Sequence, residues 1–365
     1  MVADIPIEEV SAKRAQMDEL LRQFQDGLQD HRVALARQHS EVPTRLHHYT
    51  TPQGLLGIVS DCSIWASDVR FMNDSSEFSY AAHLIDEVMA EVIAEVSSDV
   101  LRALLPTRPG VANAFEYGDQ PFIACFCEEG DLLSQWRGYS AGDSGFSLGL
   151  DLHHWALSPG LPPRTYLRKV VYDRDAQRSS VREVVKAWLA TAESLLDSGR
   201  AQPQDVFPYP AIWALQEALA EHHLCFKDPA FAEEREWRLI RLVNVREEIR
   251  LLDDKRNALM LAATHERMRQ LGVDMPEHQL VPGPEHAEGI DIQFRPSALG
   301  LVPYVELGVR DTAGVFTGRL PLWEVVQGPT RHPEVSLASL SMYLDSEGYG
   351  FHTKVSSTGI PLRAR

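Results

Sequence analysis

The segment Arg45–Pro52 most constrains the fold, because it reads as a short strand that runs directly into a helix. The pattern predicts a strand over Thr44–Tyr49, and Thr50 or Thr51 can cap the helix that follows. Pro52 suits the first helical turn. Such a junction is a good place to hold a polar ligand, because the helix offers unpaired N–H groups and the strand holds its side chains rigidly.

The remaining strands alternate irregularly with helices, which predicts an α+β fold rather than a regular doubly wound sheet. Further strands are predicted over Ile64–Ala66, Phe122–Cys127, Gly145–Leu150, Leu167–Tyr172, a segment ending near Val243, Gly300–Leu307, Glu324–Val326 and His352–Ser356. Helices are predicted over about 76–104, 178–197, 205–224, 254–271 and 334–347.

Residues 1–40 are predicted to form an N-terminal helical arm. Apolar residues recur at helical spacing among charged ones, namely Met17, Leu20, Leu21, Phe24 and Leu28. A helix packed on its own domain is the preferred interpretation, and a helix that binds a protein partner is the alternative. The sequence predicts that residues 41–365 form a single domain with an insertion near 245–320.

Charge and composition limit the binding partners and the cellular location that we expect for this protein. The 365 residues carry a formal net charge of −17, which disfavours non-specific binding to nucleic acid or to an anionic membrane. No apolar run is long enough to span a bilayer, and the N-terminus lacks the apolar core of a signal peptide. The cysteines follow no disulfide or zinc pattern, which favours reduced thiols and a cytoplasmic location; they are Cys62, Cys125, Cys127 and Cys225.

Three polar-aromatic clusters could carry chemistry, since the fingerprints of Rossmann and P-loop nucleotide binding are absent. The clusters are His48, Tyr49 and Thr50 with Asn73, Asp74 and Glu77; Trp136, Arg137 and Tyr139; and Glu234 and Glu236 with Trp237 and Arg238. Alternation along a strand would place Glu234 and Glu236 on one face, and likewise His48 and Thr50. A solvated edge with ordinary ion pairs is the simpler interpretation of Glu234 and Glu236 taken alone.

Taken together and in order, these clusters resemble the DUF2971 family of bacterial proteins. The resemblance covers most of residues 44–356. It is carried by Leu46–Thr51, Gly54–Ile58, Ile64–Ser67, Phe71–Glu77, Phe126–Cys127, Asp131–Arg137, Gly145–Gly149, Glu234–Arg238 and Gly328–Pro329.

The strand with His48 and Thr50, followed by a helix, also resembles the entry strand of ADP-ribosyltransferases. That resemblance implies a split central β-sheet flanked by helices, with NAD as substrate and no metal. It also implies that His48 anchors a ribose, that Trp136 or Tyr139 stacks on nicotinamide, and that Glu236 is the catalytic carboxylate with Glu234 as its companion. The residues implied to surround NAD are His48, Tyr49, Thr50, Asn73, Trp136, Arg137 and Tyr139.

The leading hypothesis is therefore an NAD-dependent ADP-ribosyltransferase that modifies a nucleic acid or a protein, such as a toxin or a phage-defence effector. One alternative is a metal-dependent hydrolase or nuclease, because several carboxylates together can hold Mg²⁺. Its ligands would be Asp74, Glu77, Glu234 and Glu236. Another alternative is a non-catalytic protein that binds a ligand or a partner.

Overall fold

The computed structural model describes residues 15–29, 42–72, 75–106, 119–139, 144–152, 164–202, 210–244, 292–297, 299–308 and 318–361. Within these segments, ten strands form one mixed sheet with helices on both faces. The chain is therefore α+β, as predicted. None of the helices in these segments combines the length and the apolar character that crossing a membrane requires.

The strands are β1 (Leu46–Thr50), β2 (Ser63–Asp68), β3 (Gln120–Cys127), β4 (Phe146–Leu150), β5 (Thr165–Lys169), β6 (Glu236–Val243), β7 (Gln293–Ser297), β8 (Gly300–Gly308), β9 (Leu322–Gln327) and β10 (Lys354–Ser357). The helices are α1 (residues 15–29), α2 (Pro52–Asp61), α3 (Ser75–Glu95), α4 (Asp99–Leu104), α5 (Leu133–Tyr139), α6 (Arg174–Asp197), α7 (Pro210–His223) and α8 (Pro333–Ser346). Short 3₁₀ turns cover Val69–Phe71 and Pro229–Glu234.

Strand β3 is the junction of the sheet. One of its edges pairs with β6 along its whole length. The other edge is shared by two strands. His47 of β1 pairs with Cys127 at one end of β3, and residues 67–68 of β2 pair with residues 122–123 nearer the other end. No described strand pairs with residues 124–126 on this edge. The arm β1–β4–β9–β10 and the arm β2–β8–β7 therefore diverge here, and we call the gap between them the fork.

Each face of the sheet has its own apolar core. The first face carries Ile123 and Ile240, which pack with α1, α3, α6 and α7. The second face carries Phe126 and Trp237, which pack with α2 and α8. Since side chains alternate along a strand, a residue's position in the register identifies its face. This assignment decides which candidate residues can meet.

The N-terminal helix α1 packs into the apolar core on the first face of the sheet. Its predicted apolar stripe is buried at Leu20, Phe24 and Leu28, and the Phe24 ring stacks on Trp188 with ring centroids 5.4 Å apart. Gly27 permits this close packing, since a Cβ there would lie 2.1 Å from the hydroxyl of Thr191. The preferred interpretation of a helix packed on its own domain is confirmed for residues 15–29.

The structure differs from the sequence predictions at two places, residues 76–104 and the strand β7. The single helix predicted over about 76–104 is two helices, because Ser98 caps a new helix by accepting a hydrogen bond from Leu101 N. Strand β7 was not predicted, since it lies inside the presumed insertion near 245–320 and contains Pro296, which is unusual in a strand. The helix predicted over 254–271 lies outside the described residues.

Candidate functional site

His48 bridges the fork with its side chain. Its Nδ1 lies 2.9 Å from the carbonyl oxygen of Cys125, one of the β3 residues that have no strand partner on this edge. Because a carbonyl only accepts, we assign the proton of the neutral ring to Nδ1, which leaves Nε2 as an acceptor. Among the described residues we find no hydrogen-bond partner for that Nε2.

Burial keeps the His48 ring neutral. It lowers the pKa of the imidazole, and the hydrogen bond to Cys125 opposes that shift only in part. His48 is partly exposed and lies against Phe126, with ring centroids 5.6 Å apart. The result is a fixed, uncharged ring with one nitrogen available to a ligand that donates a hydrogen bond.

The strand-to-helix junction forms as the sequence predicts. Thr51 is the cap of α2, because its hydroxyl oxygen accepts a hydrogen bond from Gly54 N at 3.2 Å, and Pro52 occupies the first turn. Thr50 shares the second face with His48. Its hydroxyl approaches the helix closely, since a Cβ on Gly54 would lie 2.0 Å from that oxygen. Glycine at position 54 therefore allows Thr50 and the start of α2 to meet.

Glu236 does not share a face with His48. In the register, His47 of β1 lies opposite Cys127 of β3, which lies opposite Glu236 of β6. Directly paired residues point to the same face, so this row is on the first face and His48 is on the second. The predicted pair of His48 and Glu236 is therefore not brought together across β1, β3 and β6, whereas His47 is on the face of Glu236.

His47 is held tightly on that face. Its Nδ1 lies 3.3 Å from the hydroxyl oxygen of Ser147. Glycines flank the ring, and a Cβ would lie 2.5 Å from it at Gly130 and 3.1 Å from it at Gly149. Burial lowers the pKa of His47, and the nearby Glu324 opposes the shift. His47 is thus a buried neutral histidine.

Glu236 is the centre of a buried ion cluster. Its carboxylate accepts from Arg238 Nε at 2.8 Å and from Lys227 Nζ at 3.0 Å, and it also accepts from the thiol of Cys125. Its side chain is 4% exposed. Although burial favours the neutral acid, Arg238 and Lys227 outweigh it and lower the pKa of Glu236 to about 2. The carboxylate is therefore ionised at neutral pH.

Glu234 reaches the same cluster by a route that differs from the predicted one. It ends a 3₁₀ turn, and Arg235 then adopts a left-handed conformation with φ 43° before β6 begins at Glu236. The two carboxylates are thus not neighbours on one strand face; they converge because Lys227 Nζ lies 2.6 Å from Glu234 and 3.0 Å from Glu236. Sequence reasoning missed Lys227, although a charged residue directly after the apolar run Leu224–Phe226 was a usable signal.

The second aromatic cluster packs on the first face through α5. The ring of Trp136 meets that of Tyr49 edge to face with centroids 4.8 Å apart, and its Nε1 donates to Asp131 at 2.7 Å. The Tyr49 hydroxyl donates to the carbonyl of Glu129. Trp136 and Tyr49 are thus buried packing residues in this structure, and neither presents a free ring face.

Arg137 and Tyr139, at the end of α5, differ from Trp136. Arg137 is exposed, and Tyr139 is 40% exposed. Burial, together with Cys125 and Glu236, raises the pKa of the Tyr139 hydroxyl. Tyr139 is therefore close enough to Glu236 for the charge of that carboxylate to affect its hydroxyl.

Part of the candidate metal site lies outside the described residues. This applies to Asp74 and to the side chain of Glu77, and Asn73, one of the residues implied to surround NAD, lies outside them as well. Among the residues that the structure does describe, no three His, Cys, Asp or Glu side chains are grouped so as to hold a metal ion. The other two proposed ligands, Glu234 and Glu236, are bound by Lys227.

Comparison with known protein families gives a match over part of the chain. Residues 135–239 match the family model described as "Protein of unknown function (DUF2971)". The match runs from α5 to β6 and includes the Glu236 cluster, and it confirms the predicted DUF2971 resemblance over that segment. No curated protein and no solved structure matches the chain.

Proposed function

We propose that this protein is an NAD-dependent ADP-ribosyltransferase whose nucleotide site lies at the fork. The observation that carries the proposal is the available Nε2 of His48, a fixed and neutral acceptor at the point where the sheet divides. A ribose hydroxyl is the kind of donor that such a nitrogen accepts. Thr50, on the same face, and the N-terminus of α2 border this position.

The forked sheet is consistent with the split central sheet that the resemblance implies. An ADP-ribosyltransferase needs a cleft that can admit an extended dinucleotide between two structural blocks. Here, β1 and β2 leave the same edge of β3 at different points, and α2 connects them. We place the nucleotide in this opening, with its ribose at His48.

The proposal assigns Glu236 the role of stabilising positive charge on the ribose. Cleavage of the nicotinamide bond develops oxocarbenium character, and an ionised carboxylate favours that transition state. The low pKa of Glu236 provides the ionised form. Two observations oppose this role: Glu236 lies on the face opposite His48, and its carboxylate is already bound by two cationic side chains. The carboxylate must become accessible before it can act.

A second candidate function, ligand binding without turnover, is favoured by that same sequestration of Glu236. A carboxylate bound by Lys227 and Arg238 in a site with a 4% exposed side chain is a common structural arrangement. In this case His48 would still hold a nucleotide at the fork, and Glu236 would only fix β6 against the end of α7 through Arg238, which donates to the carbonyl of Leu224.

Incubating the purified protein with NAD and a cell extract distinguishes the two proposed functions. Release of nicotinamide, measured by chromatography, and labelling of an acceptor support the transferase. Binding of NAD by calorimetry without nicotinamide release supports the binding protein. Absence of both binding and release overturns the proposed site.

Two substitutions at His48 test the site itself. His48→Asn keeps an amide N–H close to the position of Nδ1 and so retains the bond to Cys125, but it removes the acceptor at Nε2. His48→Gln places its amide near Nε2 and loses the bond to Cys125. We expect His48→Asn to fold normally and lose NAD binding, and His48→Gln to be less stable by about 1–3 kcal/mol. Equal NAD affinity in the wild type and His48→Asn contradicts the assignment of Nε2.

A further inference from the structure

Helix α8 carries a row of exposed apolar residues on the side that faces away from the sheet. Its buried side packs into the second-face core through Leu340 and Leu344. On the opposite side, Val335 and Met342 are each 73% exposed. These two residues are seven positions apart, which is close to two helical turns, so they project from one side of the helix. The rest of the described chain leaves this side uncovered.

The middle of this exposed side is small. Ala338 and Ser339 lie between Val335 and Met342 on the same side of α8, and both are exposed. We call these four residues the α8 stripe. Small side chains at a contact allow two helix axes to approach closely. When a second α8 crosses this centre in the antiparallel direction, Val335 of each copy comes level with Met342 of the other. The α8 stripe is therefore complementary to itself about a two-fold axis.

Charges at the two ends of α8 fit the same arrangement. Basic residues precede the helix and acidic ones end it, namely Arg331 and His332, and Asp345 and Glu347. In the antiparallel pair, His332 comes level with Asp345 of the other copy, and Arg331 lies between the levels of its Asp345 and Glu347. Glu334 comes level with Tyr343 rather than with a carboxylate. The antiparallel direction also sets the two helix dipoles against each other favourably.

We propose that α8 is the contact surface of a homodimer in which two copies of the helix pack antiparallel across Ala338 and Ser339. This inference is independent of the proposed NAD site. The contact extends to α2, where Leu56 is 49% exposed and its carbonyl accepts a hydrogen bond from the hydroxyl of Tyr343. The 14 residues of α8 span about 21 Å. A contact of this length is small for a specific interface, so we expect a dissociation constant in the micromolar range.

Sedimentation equilibrium of the full chain tests the surface. Met342→Asp places a carboxylate in the α8 stripe, at the level of Val335 of the other copy. Leu301→Asp is the matched control, because Leu301 is also apolar and 69% exposed but lies on β8. We expect the wild type and Leu301→Asp to dimerise equally, and Met342→Asp to have a dissociation constant at least about tenfold higher. Both residues are exposed, so neither change removes a core contact.

Three results overturn the α8 contact. The first is a wild type that stays monomeric at about 1 mM, where a micromolar dimer is nearly complete. The second is equal dimerisation of the wild type and Met342→Asp. The third is a loss of dimer in Leu301→Asp but not in Met342→Asp, which would place the contact on β8 instead.

Cysteine cross-linking tests the antiparallel pairing itself. In the proposed dimer the two copies of position 339 are about 1.5 Å apart along the helix axis, whereas the two copies of position 335 are about 10 Å apart. A disulfide needs Cα atoms within about 7 Å of each other. Under mild oxidation we therefore expect Ser339→Cys to form a covalent dimer on a non-reducing gel and Val335→Cys to give only the wild-type background. Any other pattern of linkage between the two variants contradicts the antiparallel pairing.

Discussion

Replacing Glu236 by Gln tests the buried ion cluster most directly. The substitution keeps the shape of the side chain and removes the charge that Arg238 and Lys227 share. In the folded chain the pKa of Glu236 is about 2, against an ordinary value of 4.5. That difference corresponds to about 3 kcal/mol of folding free energy at neutral pH. The side chain is 4% exposed, so screening by solvent does not reduce this value appreciably.

The pH dependence has a definite sign. A carboxylate whose pKa is lowered by folding stabilises the protein above its unfolded pKa, and this stabilisation disappears as pH falls through the folded pKa. For Glu236 the window runs from 4.5 down to about 2. The free-energy difference between the wild type and Glu236→Gln should therefore be about 3 kcal/mol at pH 7 and about 1 kcal/mol at pH 3.

Urea unfolding followed by circular dichroism measures both values. Glu234→Gln is the matched control, because Glu234 also binds Lys227 but its side chain is 19% exposed. We expect this control to lose about 1 kcal/mol or less. The reasoning is refuted if the two variants are equally stable at pH 7, or if the difference between the wild type and Glu236→Gln does not shrink on acidification.

Three further predictions concern packing and charge. Phe24→Ala should cost about 3–5 kcal/mol in urea unfolding, because its fully buried ring stacks on Trp188; a loss under 1 kcal/mol would show that α1 is dispensable. Gly149→Ala should cost about 1–3 kcal/mol by the same measurement, since its Cβ would lie 2.7 Å from Trp323 Nε1. The lowered pKa of His47 means that stability falls as pH drops below 6.5, and His47→Gln should show a weaker decline in thermal melts between pH 7 and 5.

Sequence patterns located the strand-to-helix junction and most strands, because alternation and capping are local properties. The cap at Thr51 and the burial of Phe24 follow from residues close in the chain. The relation between His48 and Glu236 is not local. It depends on the register of β1 and β6 against β3, and a shift of one residue reverses the face of every side chain.

Likewise, only part of the cluster around Glu236 could be predicted from the sequence. Glu234 and Glu236 are prominent in the sequence, but their partner Lys227 is seven residues from the first and nine from the second. Its approach depends on the turn after α7 and on Gln177, whose amide donates to the carbonyl of Lys227 at 2.9 Å. Spacing along the chain does not encode such a contact between separate elements.

The fork also affects how cooperatively the sheet opens. Strand β2 is joined to β3 by two register pairs, whereas β3 and β6 are joined by eight. We therefore expect the arm β2–β8–β7 to separate from the rest more readily than the β3–β6 ladder opens. In native-state hydrogen exchange, amides of β8 should exchange through a local opening of lower free energy than those at the centre of β3. We therefore expect a sheet that is continuous in its connectivity to open as two stability units that share one strand.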